Sequence, residues 1–151
     1  RYDPGHNLLK KNLLKNKIKD MNGEQIVLVT DSYDVIMTAN SEEILRKYKK
    51  MDSTLVFAAE SSCWPDKERA SLYPKQKNRK NIYLNSGGFI GPVKAIKYIL
   101  REIEDYEDDQ RYYTNVFFSD YGKNHKKLDY NCEIFKCLNA EENEISINTH
   151  N

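Results

Sequence analysis

The sequence is poor in the features that define several protein classes. It has three cysteines, four prolines, six glycines and one tryptophan in 151 residues. Three cysteines without CxxC spacing make neither a disulfide framework nor a zinc site; Cys132 and Cys137 could pair, but are expected as buried free thiols. No apolar run approaches the roughly 20 residues of a membrane-spanning helix, and the opening RYDPGHNLLKK has no signal-peptide core. The chain does not begin with Met and is expected to continue upstream. Neither sign of charge dominates: 24 Lys and Arg face 23 Asp and Glu, for a net charge of +1. That balance argues against a nucleic-acid or membrane-surface binder. The imbalance is local, because residues 101–151 carry twelve acidic and six basic groups.

What is present is periodic apolar sequence, 39% hydrophobic in all. HNLLKKNLLKNKIKDM places Leu8, Leu9, Leu13, Leu14 and Ile18 on one helical stripe, ended by Asn22-Gly23. QIVLVT, residues 25–30, is a β-branched run of the kind buried on both faces of a parallel sheet. A helix opens at Ser41 with Glu42 and Glu43 in its first turn and runs to Lys50. TLVFAA, residues 54–59, is a second buried strand, and helix–strand alternation predicts an α/β fold. Residues 60–81 form a long, basic connection, of the length expected of a mobile lid. IYLNSGGFIGP predicts a short strand and a glycine-rich turn, then a helix from Val93 to Ile103. YEDDQRYYTNVFFSDYG predicts a loop entering a helix, and LDYNCEIFKCL and EISIN two further strands. All this amounts to one domain.

Four places have chemistry to offer. Asp31-Ser32-Tyr33-Asp34 follows the first strand, where ligands of open α/β sheets bind. Two carboxylates three apart repel unless a cation sits between them, and a hard ion such as Mn²⁺ or Mg²⁺, completed by a nucleotide diphosphate, meets that need. Asn85-Ser86-Gly87-Gly88 lets backbone approach a ligand closely, although it matches neither a dinucleotide fingerprint nor a P-loop. Glu107-Asp108-Asp109-Gln110, with Asn115 beyond, can bind sugar hydroxyls or steady positive charge at an anomeric carbon. Taken alone, such a cluster is more often a solvated helix start, where acids are favoured. Trp64, before Pro65, offers an indole face to a sugar ring or a core edge.

The order and spacing of VLVTDSYDVIM, LVFAAESSCWPD, YLNSGGFIG, EDDQRYYTNVFF and LDYNCEIFKCLN resemble the glycosyltransferase domain of the procollagen lysyl hydroxylase family. The resemblance implies a GT-A fold: a Rossmann-like mixed sheet flanked by helices, incomplete here at both ends. It implies a Mn²⁺-dependent (or Mg²⁺-dependent) site for a UDP-sugar. Asp31 and Asp34 correspond to the metal-binding aspartates, and Tyr33 to the aromatic residue packed on uracil. Trp64 belongs to the loop over the donor sugar, and Asn85, Ser86, Gly87 and Gln110 line the sugar pocket. Asp108 and Asp109 fall in the stretch beside the transferred sugar and acceptor, and are the expected catalytic residues.

Donor glucose or galactose, retention of anomeric configuration and a hydroxylysine-bearing, collagen-like acceptor follow from the same resemblance. So do a homodimer through the full-length protein and the endoplasmic-reticulum lumen as compartment. The family's nucleotide-contacting first strand would precede Arg1, and its third metal ligand, a histidine before glycine, would follow the last strand. His150-Asn151 has no following glycine and is not assigned to that role. Tyr130 stands where the family has histidine. Iron-dependent hydroxylation needs an HxD pair, and none of His6, His125 and His150 has Asp two positions on, so no lysyl hydroxylase activity is expected. From a different class comes the competing reading of a catalytically silent domain that binds collagen-like partners or scaffolds a neighbour. A bare Ca²⁺ module built on DSYD is a third.

Overall fold

The computed structural model describes residues 4–101, 108–120 and 125–138. Helix α1 (Pro4–Ile18) is followed by strand β1 (Ile26–Thr30), α2 (Ser41–Lys50) and β2 (Leu55–Glu60). A 3-10 turn (Lys67–Leu72) precedes β3 (Tyr83–Pro92), α3 (Val93–Ile99), α4 (Asp109–Phe118) and β4 (Lys126–Leu128). The strands form one sheet in the order β1-β3-β2-β4. β3 runs antiparallel to both β1 and β2, while β2 and β4 are parallel. The expected mixed sheet flanked by helices is therefore the one that forms.

Alternation along the strands explains the layers. Leu55, Phe57 and Ala59 of β2 enter the larger core with Leu84 and Phe89 of β3 and the buried faces of α3 and α4. Val56 and Ile90 point the other way, to Tyr48, Ile44 and Leu45 of α2. Side chains alternate across a strand with a period of two, so one strand serves both layers. The larger core is aromatic: Phe89 lies 5.6 Å from Phe57 and 5.0 Å from Tyr113, ring centre to ring centre. Phe57 is fully buried, worth about 1.5–3 kcal/mol relative to exposure.

Several elements depart from the sequence expectations. β1 has both faces covered, Val27 and Val29 by one core and Ile26 and Leu28 by the other. Yet it is an antiparallel edge strand whose five residues are only half-buried. The leucine stripe of α1 is split: Ile18 is buried, but Leu9 and Leu13 are exposed. Lys11 takes an inward place instead, its ammonium 4.9 Å from the centre of the Tyr112 ring. α2 has the expected span, capped by Asn40, whose side chain accepts the Glu43 N–H.

The glycine-rich segment is no turn. It lies inside β3, which runs ten residues straight into α3. Nor do residues 60–81 stay irregular, since the 3-10 turn interrupts them. LDYNCEIFKCL supplies a strand only as far as Leu128. The fully buried Asp129 carboxylate accepts the N–H groups of Glu133, Ile134 and Phe135 at 2.7–2.9 Å. Amides gathered on a side chain cannot also join a ladder. The three cysteines are free thiols, but half-buried where Cys132 and Cys137 were expected buried, and burial pushes the Cys137 thiol up to about 11. α3 ends at Ile99, with Leu100 as its C-cap and Arg101 already in a turn, short of the Ile103 expected from the sequence; the EISIN strand lies outside the described residues.

Candidate active site

The site forms where β1 ends and β3 bulges. β1 and β3 pair in regular register from Ile26–Pro92 to Thr30–Gly88, and the Asp31 N–H then donates to Gly87 O at 2.8 Å. On its other edge β3 slips: Phe57 faces Phe89, but Ala58 faces Asn85. Ser86, Gly87 and Gly88 thus have no opposite number on β2. Bulges of this kind re-aim side chains, and are frequent beside active sites.

A bulge leaves backbone groups without ladder partners, and Gln110 supplies them. Its side chain is buried; Oε1 accepts the Ser86 N–H at 2.6 Å, and Nε2 donates to Leu84 O and towards Glu60 at 3.5 Å. Asn85 Oδ1 accepts the Gly87 N–H at 2.9 Å. Gly87 owes its identity to space, because a Cβ there would lie 2.8 Å from Asp31 Oδ2 and 2.9 Å from Asn85 Oδ1. At Gly88 the same atom would strike the Phe135 ring at 2.7 Å. Close approach, and not positive φ, is what these glycines provide.

The three residues at the start of α4 divide their work. Asp108 is the cap, its carboxylate accepting the Arg111 N–H at 3.0 Å. Asp109, one residue on, faces the bulge and accepts the Ser86 hydroxyl at 3.2 Å. Gln110 turns inward to clamp β3. Glu107 lies outside the described residues.

Two residues with no expected role belong to this cluster. Lys10 of α1 places its ammonium against Asp31 Oδ1 and 3.0 Å from Asp109 Oδ2. Burial alone would lower its pKa, but the hydrogen bond to Asp31 and the charge of Asp109 prevail and hold it above the ordinary lysine value. Glu60 ends β2 beside Gln110 and Asn85; burial raises its pKa, against the hydrogen bond from Asn85. Tyr113, buried behind Asp109, is raised by burial and by that negative charge. Lys10 was hidden among the lysines of a helix whose face the leucines misstate. Glu60 had a signal, as the one acid closing an apolar strand.

Other expected site residues stand apart. Asp34 is exposed in the turn after β1, and Tyr33 is 91% exposed. Trp64 is 62% exposed, on a loop tied to α4. Asp66 receives a two-pronged contact from Arg111, at 2.8 and 2.9 Å, and a third from Arg69 at 3.3 Å. Arg69 also donates to Asn115 Oδ1 at 2.5 Å, so Asn115 anchors the loop instead of facing the acid cluster. The structure brings together Asp31, Asn85, Ser86, Gly87, Asp109 and Gln110, with Asp108 capping the same helix; it does not bring Tyr33, Asp34 or Trp64 into contact with them.

The donor set of Asp31 and Asp34 is hard oxygen, which suits Mn²⁺ or Mg²⁺. Asp31 already attracts a cation, the Lys10 ammonium. No group of three or more His, Cys, Asp and Glu converges for a metal among the described residues. Two carboxylates fit an ion whose shell is shared with a diphosphate and water, and not a closed protein cage.

Comparison with known proteins identifies the family. The model of the PLOD GT domain family matches residues 5–151. Procollagen-lysine,2-oxoglutarate 5-dioxygenase of Drosophila melanogaster is 38% identical over 143 residues, covering 91% of this chain and 20% of its own length. The human multifunctional procollagen lysine hydroxylase and glycosyltransferase LH3 is 39% identical over 127 residues, covering 81% and 17%. Procollagen-lysine,2-oxoglutarate 5-dioxygenase 2 of Mus musculus is 36% identical over 130 residues, covering 83% and 18%. The chain spans a fifth or less of the length of these curated relatives. With 147 of its residues inside one family model, from 5 to 151, the chain belongs to the PLOD family of glycosyltransferase domains.

Proposed function

We propose that the chain is the catalytic domain of a metal-dependent glycosyltransferase, moving glucose or galactose from a UDP-sugar to hydroxylysine or galactosyl-hydroxylysine of a collagen-like protein. The observation that carries it is the convergence of Asp31, Asn85, Ser86 and Asp109 on the bulge of β3. In this reading Asp31 and Asp34 hold Mn²⁺ or Mg²⁺ and Tyr33 packs on uracil. Trp64 covers the sugar, which rests on the Asn85-Ser86-Gly87 edge. The ion's contribution is to neutralise charge on the departing diphosphate. Asp109 faces the anomeric carbon and steadies the positive charge that develops there. Gln110 acts at one remove, keeping the bulge open. The sugar leaves UDP with retention, the new bond forms to the acceptor oxygen, and the diphosphate takes the acceptor's proton. Chemistry on collagen-like chains during secretion places the protein in the endoplasmic-reticulum lumen, within a longer polypeptide able to form a homodimer.

The test uses the full-length protein. UDP affinity is measured by calorimetry with Mn²⁺ and with EDTA, for wild type and Asp31→Ala. Transfer is measured from UDP-glucose and UDP-galactose to hydroxylysine and galactosyl-hydroxylysine peptides. The expected result is UDP binding that needs both Mn²⁺ and Asp31, with transfer to one of the peptides. Equal UDP affinity in EDTA overturns the metal reading. Tight, Mn²⁺-dependent binding without transfer or donor hydrolysis overturns the enzymatic one and leaves a silent domain.

A further inference from the structure

The Lys10 ammonium joins two carboxylates from distant parts of the chain, Asp31 after β1 and Asp109 at the head of α4. We infer that Lys10 is a resident counter-ion that a divalent cation displaces from Asp31, so that cation loading is an exchange of one charge for another. This rests on the metal role of Asp31 given under Proposed function.

Three observations lead there. First, Asp31 has little choice of direction: its Oδ2 lies over Gly87, where even one added carbon would be 2.8 Å away, and its Oδ1 faces Lys10. A hard divalent ion takes a carboxylate oxygen at about 2.0–2.6 Å, the side already taken by the ammonium. Like charges so close repel, so one of them withdraws. Second, the lysine is held from two sides: its side chain is 29% exposed, with the carboxylate after β1 and the carboxylate at the head of α4 both against its ammonium. Third, the ammonium has somewhere to go. Asp109 Oδ2 is 3.0 Å away, on a carboxylate whose other oxygen is fixed by Ser86. A flexible four-carbon stem lets it slide to that partner. The same slide leaves positive charge beside Asp109 when Asp31 is taken by the ion.

Exchange makes a specific demand on affinity. Removing the competitor must tighten cation binding even as it unsettles the cation-free protein. The pair is about a third exposed, and pairs of that kind are worth up to about 1 kcal/mol. Lys10→Met is therefore expected to bind Mn²⁺ about fivefold more tightly than wild type by calorimetry without nucleotide, and to melt lower when no cation is added. Lys10→Arg keeps the charge and is expected to match wild type. Should Lys10→Met fail to fold, the wild-type protein decides: in a ¹⁵N-lysine spectrum, the Lys10 Nζ resonance, assigned by its loss in Lys10→Arg, shifts as Mg²⁺ is added. Equal or weaker Mn²⁺ affinity in a folded Lys10→Met, or an unmoved Lys10 resonance under saturating Mg²⁺, overturns the exchange while the metal site stands. Absence of cation binding in every protein, with or without UDP, overturns both.

Discussion

Two glycines four residues apart in β3 offer a sharp separation of function from stability. Neither is at positive φ, so the backbone accepts alanine at both. What differs is what a methyl group meets. At Gly87 the new Cβ lies 2.8 Å from Asp31 Oδ2 and 2.9 Å from Asn85 Oδ1, the tips of two site side chains. Ordinary contact begins near 3.4 Å, so each oxygen retreats by about 0.5 Å, the tolerance within which a binding constellation works. A misplacement of about 1 Å costs on the order of 10² in rate, so about tenfold to a hundredfold is expected here. At Gly91 the Cβ would be 2.6 Å from both Leu55 Cδ2 and Thr54 O. A backbone oxygen in a strand junction cannot yield, and overpacking of that kind costs about 1–3 kcal/mol.

The assay follows from the contrast. Gly87→Ala should lose donor transfer about 10–100-fold and bind UDP with Mn²⁺ more weakly. Its unfolding free energy should stay within about 1 kcal/mol of wild type, helped by the entropy alanine removes from the unfolded chain. Gly91→Ala should show the reverse, a lower urea midpoint with near-normal kcat in the fraction that remains folded. Wild-type transfer and UDP affinity in Gly87→Ala would refute the placement of the donor at the β3 bulge.

Three further outcomes are expected. Asp109→Asn should lower turnover by about 10²–10³ with little change in UDP affinity, whereas Asp108→Asn, which keeps the cap, should be near neutral; equal effects in steady-state kinetics would dismiss the division of roles. Burial raises the folded pKa of Glu60 above its ordinary 4.5, so the fold loses stability as pH rises from the unfolded value through the folded one. Glu60→Gln removes that loss and should melt higher than wild type at pH 7, with the gap closing near about pH 3.5; a gap independent of pH in thermal scans would exclude burial of charge as the cause. Asp129→Asn has one oxygen for amides that now use two, and turns its NH₂ towards a donor. It should cost about 2 kcal/mol in urea unfolding, and a wild-type midpoint would contradict the three-amide arrangement.

Periodicity revealed most of the scaffold and little of the site's support. The strands around Val27 and Phe57 and the helix from Ser41 stood out because apolar spacing is local information. Whether β1 ran parallel or antiparallel was not legible, since a β-branched run looks the same in either pairing. NSGG resembled a turn because glycine marks turns, close approaches and bulges alike. Here close approach decided, through neighbouring Asn85 and through Asp31 and Phe135, both distant in sequence. LDYNCEIFKCL alternated like a strand, but one buried carboxylate took three of its amides. The candidate site residues Asp31, Asn85 and Asp109 were legible as motifs. Lys10 was not, because its significance arises only when α1 packs beside the end of β1.

Consecutive residues at one helix start explain why the acid cluster and the glycine-rich segment belong to a single device. The irregular register of β3 leaves the Ser86 N–H and Leu84 carbonyl beside Gln110, which takes both. Gln110 can reach them only if the first turn of α4 sits against the bulge. Once it does, the residue before it, Asp109, projects beside Ser86, and the one before that, Asp108, falls at the cap. Successive helical residues point about 100° apart, so three neighbours serve a cap, a binding cleft and a buried clamp without competing. The helix's positive end also favours acids at these first positions. A glutamine that satisfies backbone is thereby what aims an aspartate at the β3 bulge, the proposed donor site, and altering the clamp should lower transfer although it faces away from that site.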